Sequence, residues 1–99
     1  MTKVALLVEL QAKPDKSAEV ARFLASARAL AIQEPATLTW YAVQLDADRF
    51  AIFDTFEGEP GRQAHLNGPI AAALMSKADE LLAVPPRIQQ ATVLADKAD

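Results

Sequence analysis

The chain contains no cysteine. That single absence removes disulfide frameworks, thiolate zinc sites, iron–sulfur clusters and a cysteine nucleophile, and it fits a reducing compartment, so a cytoplasmic location is expected. Histidine occurs once, at His65, which leaves no histidine cluster for a transition metal. A set of His65 with Asp54 and Glu57 is a poor ligand group, and neither a metal nor a cofactor is expected. The three glycines, Gly58, Gly61 and Gly68, make no phosphate-binding fingerprint and read as turn and helix-start chemistry. The ten basic residues are scattered among thirteen acidic ones, for a net charge of −3. With no stripe of Lys or Arg to follow a phosphate backbone, nucleic acid is not an expected partner. Long apolar runs are missing too: Val4 to Val8 stops at Glu9, too short and too charged for a signal peptide or a spanning helix. A soluble protein without a membrane partner is the expectation.

What is present is a globular balance, 52% hydrophobic and 23% charged over 99 residues, which makes residues 1–99 one domain with a charged tail, 96–99, expected to fray. A core this small buries a modest share of the chain, so residual apolar surface favours a homo-oligomer.

Along the chain, the apolar run Lys3 to Ala12 ends at Lys13-Pro14-Asp15 and reads as a strand closed by a turn. From Asp15 or Ser17 as N-cap, apolar residues recur at Val20, Phe23, Leu24, Ala27, Leu30 and Ala31, the spacing of one helical face. Glu34-Pro35 ends that helix. Leu38 to Leu45 and Phe50 to Phe56 form a hairpin across Asp46-Ala47-Asp48-Arg49. Glu57 to Leu66 is a short helix, Asn67-Gly68-Pro69 a break, and Ile70 to Leu82 a second amphipathic helix stopped by Pro85-Pro86. Ile88 to Leu94 is the last strand. The order strand, helix, strand, strand, helix, strand predicts an α+β, ferredoxin-like split βαβ fold with a four-stranded antiparallel sheet, the competing arrangement being an open α+β sheet of another topology.

Both parities of the second strand are apolar, Leu38, Trp40 and Ala42 on one and Tyr41, Val43 and Leu45 on the other. A sheet face that meets water should alternate with polar residues, so a partner's sheet is expected to cover it and make a homodimer. A tight turn centred on Ala47-Asp48 pairs Tyr41 with Asp54 and Thr39 with Phe56. That register puts Tyr41, Asp54 and Phe56 on one face and Trp40, Phe53 and Thr55 on the other.

Asp54 is a carboxylate inside an apolar strand and needs a donor or a proton. The functional reading is therefore a pocket in which His65 is base or donor, Asp54 orients it or a substrate hydroxyl, and Tyr41 and Phe56 form an aromatic wall, with Glu9 of the first strand as a further lining residue. The competing reading makes His65 a partly buried ring capping a carbonyl, with Asp54 paired to Arg62 or Tyr41, and leaves Glu9 solvated at an edge. Trp40 stacks on a ligand or, with Phe53, anchors the dimer interface.

Three features, Lys13-Pro14 after the first strand, Trp40-Tyr41 in the second, and Phe56 followed nine positions later by His65-Leu66, make the chain resemble the antibiotic biosynthesis monooxygenase family of dimeric α/β-barrel proteins. The resemblance, close to quinol monooxygenases, implies a ferredoxin-like monomer whose sheet packs on a partner's to close a barrel. It also implies oxygenation of a small aromatic phenol or quinol without metal or flavin. Phe56 stands where many members have tryptophan, and Val4 to Leu10 lacks the asparagine of the haem-degrading branch, which points away from haem. A small-ligand-binding or stress-associated dimer, and isomerase or lyase chemistry on a small lactone or ketone, are the alternative functions.

Overall fold

The structure is a computed structural model that describes residues 3–97. Four strands, β1 (Val4–Gln11), β2 (Thr37–Gln44), β3 (Arg49–Phe56) and β4 (Arg87–Thr92), form one sheet in the order β2-β3-β1-β4, with every neighbouring pair antiparallel. Helices α1 (Ser17–Ile32), α2 (Glu59–Leu66) and α3 (Pro69–Leu81) complete the chain. This is the α+β, ferredoxin-like arrangement expected from the element order. Residues 98 and 99, the end of the expected frayed tail, lie outside the described residues, while Lys3 and Asp96 approach to 3.4 Å beside the last strand. No helix among the described residues is long and apolar enough to cross a membrane.

Alternation along the strands sorts side chains onto two faces. Val8 and Leu10 of β1 and Phe50 and Ile52 of β3 meet Val20 and Leu24 of α1 and Leu74 and Leu81 of α3, which forms the main core. Ala27, Ala31 and Ile70 make a smaller cluster, and Trp40 packs against both. The opposite face has no helix on it and exposes Tyr41, Val43 and Phe53.

Several boundaries differ from the sequence expectation, each for a local reason. Neither Asp15 nor Ser17 caps α1: Lys16 takes the N-cap position, Asp15 adopts a left-handed φ of 73° in the preceding turn, and the Ser17 hydroxyl donates to the carbonyl of Ala47 in the β2–β3 loop. Helix α3 ends at Leu81, before the prolines, because Leu82 becomes extended to bridge Ala12, and Ala83 N–H donates to the Gln11 carbonyl at 2.8 Å.

The hairpin register is the consequential difference. Gln44 pairs with Phe50, Ala42 with Ile52, Tyr41 with Phe53 and Trp40 with Asp54. The expected two-residue turn is replaced by a three-residue loop, Asp46 to Asp48, closed by Leu45 N–H donating to the Arg49 carbonyl at 2.8 Å. The Asp46 carboxylate organises it: Oδ1 accepts from the amides of Asp48 and Arg49 at 3.2 and 3.1 Å, and Oδ2 accepts from Arg49 Nε at 2.8 Å. One added loop residue moves every partner by one and so exchanges the faces. Trp40, Asp54 and Phe56 therefore share the helix-covered side, and Tyr41, Phe53 and Thr55 share the open one.

Candidate functional site

Asp54 sits on β3, the strand between β1 and β2, opposite Leu6 on one side and Trp40 on the other. It is 1% exposed. A carboxylate so deep needs a partner of opposite charge or good donors. His65, the penultimate residue of α2 and 8% exposed, brings its Nε2 to 2.9 Å from Asp54 Oδ2. The contact is close but poorly directed, for neither Asp54 oxygen has a well-aligned hydrogen bond. The imidazole lies against the ring of Phe56, centroids 5.3 Å apart and planes tilted by 44°, so aromatic packing fixes its orientation.

The other ring nitrogen is also engaged. Nδ1 lies 2.6 Å from Glu34 Oε1, and the same oxygen accepts from the Thr37 hydroxyl at 2.8 Å. Glu34 stands in the turn between α1 and β2, held by its amide donating to the Ala31 carbonyl and by its own carbonyl accepting from Thr37 N–H. Gly61 favours the meeting: a Cβ there would come within 3.1 Å of the Ala36 carbonyl and 3.2 Å of the Ala36 Cβ, so a side chain would push α2 and this turn apart by a few tenths of an ångström. Gly68 serves a similar end, since a Cβ there would stand 3.1 Å from the Ala64 carbonyl and 3.5 Å from Glu34 Oε2.

The result is a buried line, Asp54–His65–Glu34, with an imidazole clamped at both nitrogens. Burial, the largest single influence on the ring, lowers its pKa. The hydrogen bonds and charges of Asp54 and Glu34 together outweigh it and leave His65 above the ordinary histidine value of 6.5. Because the two carboxylates occupy opposite nitrogens of one ring, they do not converge on a single ion. Among the described residues no group of three or more such side chains could hold a metal.

Of the residues singled out from sequence, His65, Asp54 and Phe56 come together. Tyr41 does not: it is 59% exposed on the opposite face, and the expected wall of Tyr41 with Asp54 and Phe56 fails with the register that produced it. Glu9 also lies on the open face, opposite Ala51, where its carboxylate accepts from Gln89 Nε2 at 2.7 Å and stands 3.8 Å from Arg87. Trp40 and Phe53 lie on opposite faces and cannot anchor one interface together. Arg62 is no partner of Asp54; it pairs with Glu59 and donates to the carbonyls of Ala5 and Ala91, each at 3.2 Å.

Glu34 is the residue that sequence reasoning missed. Its only local signal was the proline after it, read as a helix stop, and nothing near it in sequence points to a histidine 31 positions away. Glu34 also opens the array outward. With Arg28, Ala31, Ile32, Thr37, Leu38, Thr39 and Trp40 it lines a groove of about 310 Å³ between α1 and the edge strand β2. Two buried polar atoms on these lining residues lack partners, Glu34 Oε2 and Trp40 Nε1.

No protein-family model and no curated protein sequence matches the chain. Solved structures do. A protein of unknown function from Nitrosomonas europaea superposes with a TM-score of 0.96 at 52% identity, covering 100% of this chain and 96% of its own. A second Nitrosomonas europaea protein, provisionally described as an antibiotic biosynthesis monooxygenase, matches with a TM-score of 0.82 at 17% identity over 93% of this chain and 90% of its own. One from Chloroflexus aurantiacus with the same provisional description matches with a TM-score of 0.75 at 16% identity over 97% of each chain. These last two share the fold alone. At 52% identity over its whole length, the chain belongs to the family of the first Nitrosomonas europaea protein, and it shares its fold with the two provisionally described monooxygenases.

Proposed function

We propose that the protein is a cofactor-independent monooxygenase acting on a small phenol or quinol, and that it works as a homodimer. The observation that carries the reading is the buried Asp54–His65–Glu34 array, a proton acceptor assembled beside an aromatic ring and a tryptophan-lined groove. Oxygenation of this kind asks little of a protein: a base, a dry site and room for dioxygen. The hydroxyl proton passes to the array. The phenolate gives one electron to dioxygen, the aryloxyl radical and superoxide combine at a ring carbon, the resulting peroxide takes the proton back from the array, and the hydroperoxide loses its outer oxygen as water together with that proton and the ring hydrogen. One oxygen atom ends in the quinone and the other in water, with the ring hydrogen lost alongside. His65 has no free nitrogen, so its part is to hold the carboxylates and the shared proton in place.

The dimer reading rests on the open sheet face. Tyr41, Val43 and Phe53 are exposed there, with the Thr39 and Thr55 hydroxyls 2.7 Å apart, and a partner's sheet would cover an apolar surface that no helix of this chain covers. A second function, a dimer that holds a small ligand without turnover, is favoured by the dense packing of Phe56 on His65, which leaves the ring no direct access to a substrate.

Oxygen uptake by chelator-treated protein in the presence of dihydroxynaphthalenes and related quinols distinguishes the two. Turnover is expected, and Asp54→Asn is expected to lower it by about 10²- to 10⁴-fold. Unchanged activity in Asp54→Asn, or activity that disappears with chelator and returns with added metal, would overturn the monooxygenase reading.

A further inference from the structure

Resting on the site proposed above, we infer that the groove between α1 and β2 binds a small aromatic that carries both an ionisable hydroxyl and an anionic group, with Glu34 receiving the hydroxyl and Arg28 the anion. The groove is lined mainly by polar atoms, with one apolar wall and two charged points. Ile32, Leu38 and Trp40 supply the wall, and Ile32 and Leu38 are exposed although nothing in the fold packs on them. A volume of about 310 Å³ falls at the small end of ligand sites, which run from roughly 300 to 1,000 Å³, and suits one or two fused rings.

The charges fix the polarity of the ligand. Glu34 spends Oε1 on His65 and Thr37 and leaves Oε2 without a partner. An unpaired buried carboxylate oxygen calls for a donor, which a phenolic hydroxyl provides. Arg28 enters no ion pair among the described residues, so its guanidinium is open to an anion. Trp40 Nε1, a second unpartnered donor, adds an acceptor requirement on the same ligand. A flat ring that carries both a hydroxyl and a carboxylate meets all three. In this arrangement Glu34 is the catalytic residue that touches substrate, while His65 and Asp54 are positioning residues behind it.

The test measures binding without turnover. Under anaerobic conditions, 1-hydroxy-2-naphthoate, 1-naphthol and 2-naphthoate are titrated calorimetrically, and Trp40 emission is followed in parallel, Trp40 being the only tryptophan of the chain. The hydroxynaphthoate is expected to bind at least about fivefold tighter than either single-function analogue, the effect of one exposed charge pair of about 1 kcal/mol. Binding is expected to shift Trp40 emission. Arg28→Gln, an exposed change that leaves the core intact, should remove the preference over 1-naphthol and leave 1-naphthol binding itself unaltered. Glu34→Gln should remove the preference over 2-naphthoate. Equal affinities for the three ligands, an unchanged preference in Arg28→Gln, or binding with no response from Trp40 would overturn the inference. Oxygen uptake from uncharged quinols with none of this selectivity would sink the inference and leave the monooxygenase reading standing. Selective binding with no uptake from any hydroxylated aromatic acid would do the reverse.

Discussion

The two faces of the sheet are built from the same strands and by the same alternation, yet they solve opposite problems. On the helix-covered face, Trp40, Asp54 and Phe56 lie under helices, and the one carboxylate among them is matched by a histidine brought in on α2. On the open face, Tyr41 and Phe53 stand 59% and 39% exposed, with the part-buried Thr39–Thr55 hydroxyl pair and the Glu9–Gln89 contact on the same side. A buried charge forces a specific partner because the cost of leaving it alone is several kcal/mol, whereas exposed apolar area asks only for coverage of the right shape. The covered face therefore carries the proposed chemistry, and the open face carries the contact surface of the proposed dimer.

The sharpest way to break this comparison is to remove the partner from the covered face. His65→Ala leaves Asp54 buried without a cation and opens space beside Phe56, and a loss of about 3–5 kcal/mol in urea unfolding is expected. A loss within about 0.5 kcal/mol, the range of ordinary surface changes, would mean that Asp54 is effectively hydrated and that the two faces are less different than described.

A paired substitution across the sheet comes next. Trp40→Ala, which empties a position packed against both core clusters, is expected to cost about 3 kcal/mol of monomer stability. Phe53→Asp on the other face should leave that stability nearly unchanged and weaken self-association by about 2 kcal/mol or more, read by sedimentation over a concentration series. A stable monomer in the unaltered protein at micromolar concentration would remove the dimer proposal. A dimer lost in Trp40→Ala but kept in Phe53→Asp would reverse the assignment of the faces.

The smallest expected effect is on pH dependence. His65 binds its proton more tightly in the folded chain than at its ordinary value of 6.5, so the stabilisation is fully present below that pH and is lost as pH rises through the raised folded value. The stability difference between the unaltered protein and His65→Gln should accordingly be largest near pH 6 and shrink towards alkaline pH. A difference that grows on alkalinisation would show that burial, not the carboxylates, governs the ring. The open face contains no histidine, so no matching dependence is expected from changes at Tyr41 or Phe53.

How much of this was readable from the residues differs between elements. Of the six residues whose spacing marked one face of α1, Val20, Leu24, Ala27 and Ala31 are buried, while Phe23 is half-buried and Leu30 is exposed. The lone polar residues in apolar surroundings, Asp54 and His65, drew notice for a sound reason, since burial of either demands a partner. The partner of Tyr41 was misjudged because a four-residue Asp-rich link is compatible with two loop lengths. The extra loop residue depends on how the Asp46 carboxylate binds the amides of Asp48 and Arg49.

The sequence by itself determined the order and type of the elements and the apolar character of β2 on both parities, because propensity and periodicity act over a few neighbouring residues. The tertiary structure decided which parity faces the helices, since one residue of loop exchanges the faces of a strand. It also decided that Glu34 completes the array. That contact joins a turn and a helix 31 residues apart, and it exists because Gly61 admits a close approach between backbones, a matter of space that no local pattern records.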